Sequence, residues 1–179
     1  MEMRAPAVPL ITVDPYFSIW SMADQLTDDE TRHWTGKPNT IEGIAFIDGK
    51  RYAFIGRPEG LPALRQTGLL IDALSTIYTF EGGGVRLTVD FTTPLLPQDL
   101  DVFARPVTYL AVQAASLDGV AHTVSIAIRA SEELCLNEKG QMPVVTAEAE
   151  IAPGVVSMRM GGQGQPILGV ADDDVRIDW

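Results

Sequence analysis

Hydrophobic and polar residues alternate along most of the chain with a period of two, which is the pattern of β-strands that bury one face. The clearest alternation runs through residues 85–91, and similar runs occupy residues 120–129 and 145–151. A sustained 3.6-residue period is missing from the sequence, so we expect no more than short helical turns, within residues 24–33 and 131–137. The pattern therefore predicts an all-β protein with little helix.

Turn-forming residues separate these alternating runs. Asp48 and Gly49 lie between two apolar segments, and an Asp-Gly pair readily adopts the positive φ angles of a type I′ turn. We therefore expect a β-hairpin over Ile41–Gly56. Similar glycine-containing breaks occur at residues 81–84, 118–119 and 153–154. Consecutive strands joined by such turns pair antiparallel, and the predicted architecture is an antiparallel β-sandwich of two packed sheets.

One predicted strand differs from the others in its pattern. Residues 107–115 are almost entirely apolar at both odd and even positions. This composition is typical of a central strand whose two faces are both covered. The sequence therefore predicts that this strand lies in the middle of a sheet.

The two ends of the chain depart from the regular alternation. Residues 1–39 hold more prolines, aromatics and charges than a simple meander, and we interpret them as an irregular leading segment packed on a sandwich of residues 40–179. The last five residues, VRIDW, begin an alternating strand that stops at Trp179 without a turn. We interpret this as truncation of the sandwich, with an exposed edge through which two copies can pair.

Composition limits the classes of function. The chain has 179 residues, 46% of them hydrophobic, which suffices for one sizeable core. Its formal charge is −11, and its 13 lysines and arginines are scattered, which argues against nucleic-acid binding. We see no apolar run long enough to span a membrane and no signal-peptide pattern at the start. Cys135 is the single cysteine, so neither a disulfide nor a cysteine-based zinc site is expected.

The common catalytic spacings are not found in the sequence. The two histidines, His33 and His122, are far apart, and no nucleophile, phosphate-loop or metalloprotease signature accompanies them. We therefore assign no catalytic residue, metal site or cofactor. His122 is in register with Val120 and Val124, which favours a core or edge histidine with one hydrogen-bond partner.

The candidate ligand-binding or interface residues lie in the leading segment. Arg32, His33, Trp34 and Thr35 precede a glycine in a polar stretch, and Trp20 is a second aromatic candidate. Loops with such groups often bind ligands or partners, since an indole offers apolar area and one donor. In the alternative interpretation, Trp34 fills the end of the sandwich and Arg32 pairs with an acid of residues 28–30.

Two acidic runs and one glycine-rich segment are further candidates for ligand binding. The acidic runs at residues 28–30 and 172–174 supply oxygen ligands of the type that calcium prefers. Consecutive acids point in different directions, however, so solvated charge runs are the favoured interpretation. Residues 161–164 are interpreted as a flexible connector, because no helix pattern follows them.

Several separated motifs give the chain a resemblance to the glutaminase A family. They occur in the same order along almost the whole chain: PLITVDPYFSIWS at 9–21, RHWTG at 32–36, GIAFIDGKRYAFIG at 43–56, LTVDFTTPLLPQDLDVFARPVTYL at 87–110 and DDVRIDW at 173–179. The resemblance implies a long secreted or periplasmic protein, in which an N-terminal β-sandwich precedes an α-helical toroid. The implied activity is hydrolysis of glutamine to glutamate and ammonia.

This chain is shorter than the family members that it resembles, and it lacks the helical domain to which the resemblance assigns the main catalytic groups. We therefore expect a non-catalytic N-terminal region whose partner is that domain of the same polypeptide. The candidate interface residues then include Asp178 and Trp179 beside those of residues 32–35 and Trp20. A free-standing carbohydrate-binding module is the alternative, since exposed tryptophans can stack on sugars; a small amide or a glycan is the expected ligand class.

Overall fold

The computed structural model describes residues 5–136 and 143–162. The chain forms two compact units, residues 1–129 and residues 130–179. The boundary proposed above between residues 39 and 40 stays a prediction. No helix within the described residues is long and apolar enough to cross a membrane.

Strands dominate both units. The eleven described strands are β1 (Val8–Thr12), β2 (Ser18–Ser21), β3 (Ile41–Ile47), β4 (Lys50–Ile55), β5 (Arg65–Ile71), β6 (Ser75–Gly82), β7 (Val85–Thr92), β8 (Tyr109–Ser116), β9 (Val124–Ala130), β10 (Val144–Ala152) and β11 (Val155–Gly161). The helical elements are α1 (Leu100–Phe103) and a 3₁₀ turn at Glu132–Leu134. The 3₁₀ turn lies where a helical turn was predicted. Residues 24–33 contain no helix: residues 24–29 form turns and bends, and Arg32 forms β-bridges with Trp20 and Pro38.

The first unit contains a two-stranded ribbon, β1-β2, and two larger sheets with the orders β4-β3-β9 and β5-β6-β7-β8. In the second unit, β10 and β11 form an antiparallel hairpin. The prediction of an all-β, antiparallel sandwich is therefore confirmed. The predicted type I′ hairpin is also present, since Asp48 and Gly49 join β3 to β4 with φ angles of 49° and 78°.

Aromatic side chains fill the core of the first unit. On β7, Val85, Leu87, Val89 and Phe91 all point to the buried face, as their alternation predicted. The ring of Phe54, on the three-stranded sheet, lies 6.2 Å from that of Phe80, on the four-stranded sheet, at 66°. Such edge-to-face contacts add to the gain from apolar burial. The two larger sheets therefore pack face to face through this contact.

The predicted position of the doubly apolar strand is wrong for the described sheet. β8 is the last strand in the order β5-β6-β7-β8, and Tyr109 on its outer face is 62% exposed. Apolar residues on both faces indicate that a strand needs cover. They do not indicate which part of a protein supplies it.

We predict that Phe80→Ala lowers the free energy of unfolding by about 3–5 kcal/mol, because it opens a cavity between the two sheets. Phe80 is fully buried and contacts the rings of Phe54 and Tyr78. Phe103→Ala is the control, since Phe103 is 46% exposed on α1, and it should change stability by no more than about 0.5 kcal/mol. Urea unfolding followed by tryptophan fluorescence measures both; equal effects would contradict this description of the core.

Candidate functional site

The candidate residues of the leading segment lie on a closed loop, residues 32–36, called here the RHWTG loop. Thr31 closes its base: its hydroxyl donates to the carbonyl of Asn39 at 2.7 Å and accepts the amide of Ile41 at 2.8 Å. Thr31 is 1% exposed, so these hydrogen bonds are shielded from water. The loop is thereby fixed next to the start of β3.

Backbone hydrogen bonds attach the RHWTG loop to the β1-β2 ribbon. Arg32 and Trp20 exchange both of their amide–carbonyl bonds, at 2.7 and 2.9 Å. The loop then turns back through Gly36, whose φ of 93° suits glycine and whose amide donates to the carbonyl of His33. Trp20 and the RHWTG loop, two separate sequence candidates, are therefore neighbours in the structure.

The guanidinium of Arg32 is held by neighbouring acids. It binds both carboxylate oxygens of Asp29, at 3.0 and 3.3 Å, and one oxygen of Glu30 at 3.1 Å. It also donates to the carbonyl of Gly36 at 3.0 Å. The hydrogen bond from Arg32 lowers the pKa of Asp29, and the same bond raises the pKa of Arg32. The predicted pairing of Arg32 with this acidic run is confirmed, and the pair stabilises the loop.

His33 anchors the loop from inside. It is 1% exposed, and its Nε2 lies 3.1 Å from the carbonyl oxygen of Pro15. Because a carbonyl can only accept, Nε2 carries the proton. Nδ1 lies 2.9 Å from the hydroxyl of Thr35. Both ring nitrogens therefore position the loop, and the buried imidazole is not presented to a substrate.

Trp34 has the opposite environment. Its side chain is 56% exposed, yet its Nε1 donates to the Pro15 carbonyl at 2.7 Å. Its ring centroid lies 5.4 Å from that of His33, at an angle of 42°. The interpretation that Trp34 fills the end of the sandwich is wrong, because this hydrogen bond holds the indole at the surface. Trp34 therefore presents an exposed aromatic ring in a fixed orientation.

The remaining candidates are less exposed than Trp34 or lie outside the described residues. Trp20 is only partly exposed, and its Nε1 is buried without a hydrogen-bond partner in the described part of the chain. Asp178, Trp179 and the acidic run at 172–174 lie outside the described residues. The structure therefore brings together Trp20 and residues 32–35 but gives no position for the two C-terminal candidates.

A second cluster was missed by the sequence analysis. His122, in the connection between β8 and β9, lies between two carboxylates: Nδ1 is 2.6 Å from Asp48 Oδ2, and Nε2 is 3.0 Å from Asp118 Oδ1. The imidazole is 11% exposed, whereas the two carboxylates are about half exposed. His122 thus has two partners, and the prediction of one partner is wrong. We call these three residues the corner clamp.

The corner clamp joins turns from both larger sheets. Asp48, at the tip of the β3-β4 hairpin, also accepts the amide of Thr123 at 2.9 Å. Asp118 accepts the amide of Val120 at 3.0 Å. Gly84, between β6 and β7, leaves room for the cluster, since a Cβ there would lie 2.6 Å from Asp118 Oδ2. The clamp therefore fixes the point where the chain passes from the four-stranded to the three-stranded sheet.

Charge stabilises the corner clamp. Hydrogen bonds to Asp48 and Asp118 raise the pKa of His122. The amide of Val120 and then the imidazole of His122 lower the pKa of Asp118 to about 2, and His122 lowers that of Asp48. Both nitrogens of His122 bind carboxylates, so the cluster is suited to structural support rather than proton transfer. No grouping of side chains suited to a metal ion occurs within the described residues.

Comparisons with known proteins bear out the resemblance deduced from the motifs. Residues 74–179 match a family model described as a domain of unknown function, DUF5127, and residues 1–62 match another, DUF4964. Glutaminase A of Aspergillus oryzae is 29% identical to this chain over 131 residues. The match covers 69% of this chain but 19% of the relative, so the chain spans about a fifth of that protein. No solved structure matches the chain.

We predict that the corner clamp gives the fold a defined pH dependence. A raised histidine pKa stabilises the fold fully below the unfolded value of about 6.5, and this stabilisation is lost as the pH rises through the folded pKa. The lowered carboxylate pKa values stabilise the fold above about pH 4, and that stabilisation is lost as the pH falls toward 2. The stability advantage of the native chain over His122→Gln should therefore peak between about pH 4 and 6.5.

Urea unfolding of both proteins from pH 3 to 9 measures this difference. Asp118→Asn is the matched variant, because it keeps the shape of the side chain but removes one charge. NMR titration should give a lower pKa for His122 in this variant than in the native chain. A stability difference between native chain and His122→Gln that stays constant from pH 5 to 9 would contradict the role of the clamp.

Proposed function

The chain belongs to the DUF5127 family, and we propose that it is the non-catalytic N-terminal β-sandwich region of a glutaminase-like hydrolase. In this proposal, a separate helical domain of the same polypeptide hydrolyses glutamine to glutamate and ammonia. The sandwich supports that domain through the RHWTG loop. Export of the whole protein to the periplasm or the medium is part of the same proposal and rests on the resemblance alone.

The observation that carries the proposal is the immobilised, exposed indole of Trp34. Tryptophan is enriched among the residues that dominate protein interfaces, and a side chain already fixed in one orientation loses little entropy on binding. The polar groups beneath it are occupied, since His33 and Arg32 both hold the loop. The loop therefore has the properties of a preformed anchor rather than a reaction centre.

The similarity to glutaminase A supports the identity of the partner. Most of the relative's sequence lies outside the match, because the 131 aligned residues cover only 19% of it. In the described residues the titratable side chains at both places already have partners within the chain: Arg32 binds Asp29, His33 binds Pro15 and Thr35, and His122 binds Asp48 and Asp118. An active site supplied by another part of the polypeptide is consistent with this arrangement.

Carbohydrate binding is the second candidate function, and the exposed ring of Trp34 is the observation that favours it. A flat, accessible indole can stack on the apolar face of a sugar ring. Trp20, however, is only partly exposed and so offers less accessible ring surface than Trp34, which is 56% exposed. A single ring is a small platform, so we rank this function below the interface.

We predict that the 179-residue chain does not release ammonia from glutamine, whereas a chain extended to the length of the glutaminase A relative does. In the extended chain, Trp34→Ala should weaken the contact between the sandwich and the remaining domain by about 2 kcal/mol or more, as expected for an interface tryptophan. Calorimetric unfolding, with and without the substitution, measures this effect. Glutamine hydrolysis by the 179-residue chain alone would overturn the proposal.

Trp34→Phe is the matched variant, because it keeps an aromatic ring but removes the donor to Pro15. It should recover part of the lost stability in the extended chain. Titration of the 179-residue chain with oligosaccharides separates the two functions. Sugar binding that disappears in Trp34→Ala, together with an unchanged domain contact, would favour the carbohydrate-binding module.

A further inference from the structure

Among the described strands β8 lies at the edge of its sheet, and its composition is unusual for an edge strand. β8 has eight residues, YLAVQAAS, none of them charged, and it pairs with β7 without a bulge. The other edges of the two larger sheets carry charged residues: Lys50 and Arg51 on β4, Arg65 on β5 and Arg129 on β9. Charges and bulges protect natural edge strands from pairing, and β8 has neither.

The backbone of β8 offers a regular row of hydrogen-bonding groups at this edge. The amide of Leu117 donates to the carbonyl of Gly84 at 2.8 Å, which fixes the alternation along the antiparallel pair. The amides of Gln113 and Ala115 therefore point toward β7. Those of Val112 and Ala114 point away from it, toward the side where the described residues place no further strand.

The core is also incomplete along β8. Leu87 and Val89 on β7 are fully buried, yet their neighbours on the same face of the sheet, Ala114 and Val112, are exposed and half-buried. Burial thus falls off abruptly from one strand to the next. A further strand beside β8 would cover these side chains. Its carbonyl groups would also accept hydrogen bonds from the outward-pointing amides.

We propose that the edge of β8 pairs with a β-strand from the remainder of the glutaminase-like polypeptide. This inference rests on the proposed function and names the surface and the kind of segment by which the region joins the rest of the protein. The expected segment is extended, with apolar residues at alternate positions facing the core beside Val112 and Ala114. It adds a fifth strand to the four-stranded sheet.

Length and charge favour the same polypeptide over a second copy. The chain spans 19% of the glutaminase A relative, so much more sequence of that protein lies outside the match than within it. A second copy carries the same formal charge of −11, and the two copies repel each other. A segment of the same polypeptide has a high effective concentration at this edge, because the covalent chain keeps the two close together.

Residue-resolved amide hydrogen exchange tests the proposal. In the 179-residue chain, the amides of Val112 and Ala114 should exchange fast, while those of Gln113 and Ala115 are protected by β7. In the extended chain, the exchange of the first pair should become slower by about tenfold or more, because a second strand now binds those amides. The second pair should change little.

A matched pair of substitutions tests the side chains. Ala114→Lys places a charge on the core-facing side of β8, where it is solvated at an open edge but buried under an added strand. Ala111→Lys places the same charge on the outer face, opposite Asp90. Both alanines are exposed, so the two variants should unfold alike in the 179-residue chain. In the extended chain, only Ala114→Lys should abolish the slower exchange at Val112.

Three results would overturn the proposal. Slow exchange of Val112 in the 179-residue chain at every dilution would mean that the chain covers its own edge. Slow exchange that rises with protein concentration would identify a second copy as the occupant. Fast exchange in an extended, catalytically active chain would leave the edge open. This last result would leave the proposed function intact, whereas an inactive extended chain with a protected edge would refute only the glutaminase assignment.

Discussion

The contact between Phe54 and Phe80 joins the two larger sheets, and the rest of the first unit is arranged around the layer that it defines. Phe80 lies on β6, whose alternation points its apolar residues inward, whereas Phe54 lies on β4 between two other buried residues, Ala53 and Ile55. Tyr78 and Phe91 extend the aromatic layer along the four-stranded sheet. The corner clamp connects turns of these two sheets, and β8 is the last described strand of one of them.

Apolar packing and charge act at different places in this sandwich. Aromatic and aliphatic side chains pack in the centre, where they are buried from water. The passage from β8 to β9 lies at the periphery, where polar groups remain solvated and two carboxylates can hold an imidazolium. Hydrogen bonds to a charged group are stronger than neutral ones, which suits a site that holds turns from separate strands together.

The same sandwich offers two kinds of surface to a partner. The RHWTG loop presents one aromatic ring, fixed by hydrogen bonds to Pro15 and supported by the buried His33. The edge of β8 presents backbone groups and a partly covered core. A rigid side chain supplies specificity at a point, whereas a strand edge supplies many equivalent hydrogen bonds along a line. Together they support the proposal that this chain packs against another part of a longer polypeptide.

Local chemistry made much of this predictable from sequence. The alternation of residues 85–91 determined a strand and its buried face, and Asp48-Gly49 determined a hairpin, because both depend on neighbouring residues only. The pairing of Arg32 with Asp29 and Glu30 was predictable for the same reason, since these residues are close to it in the sequence. The exposure of Trp34, the meeting of Asp48 with His122 and the edge position of β8 were decided by the tertiary structure. Each depends on which distant segments meet, and a period of two specifies the faces of a strand without specifying its neighbours.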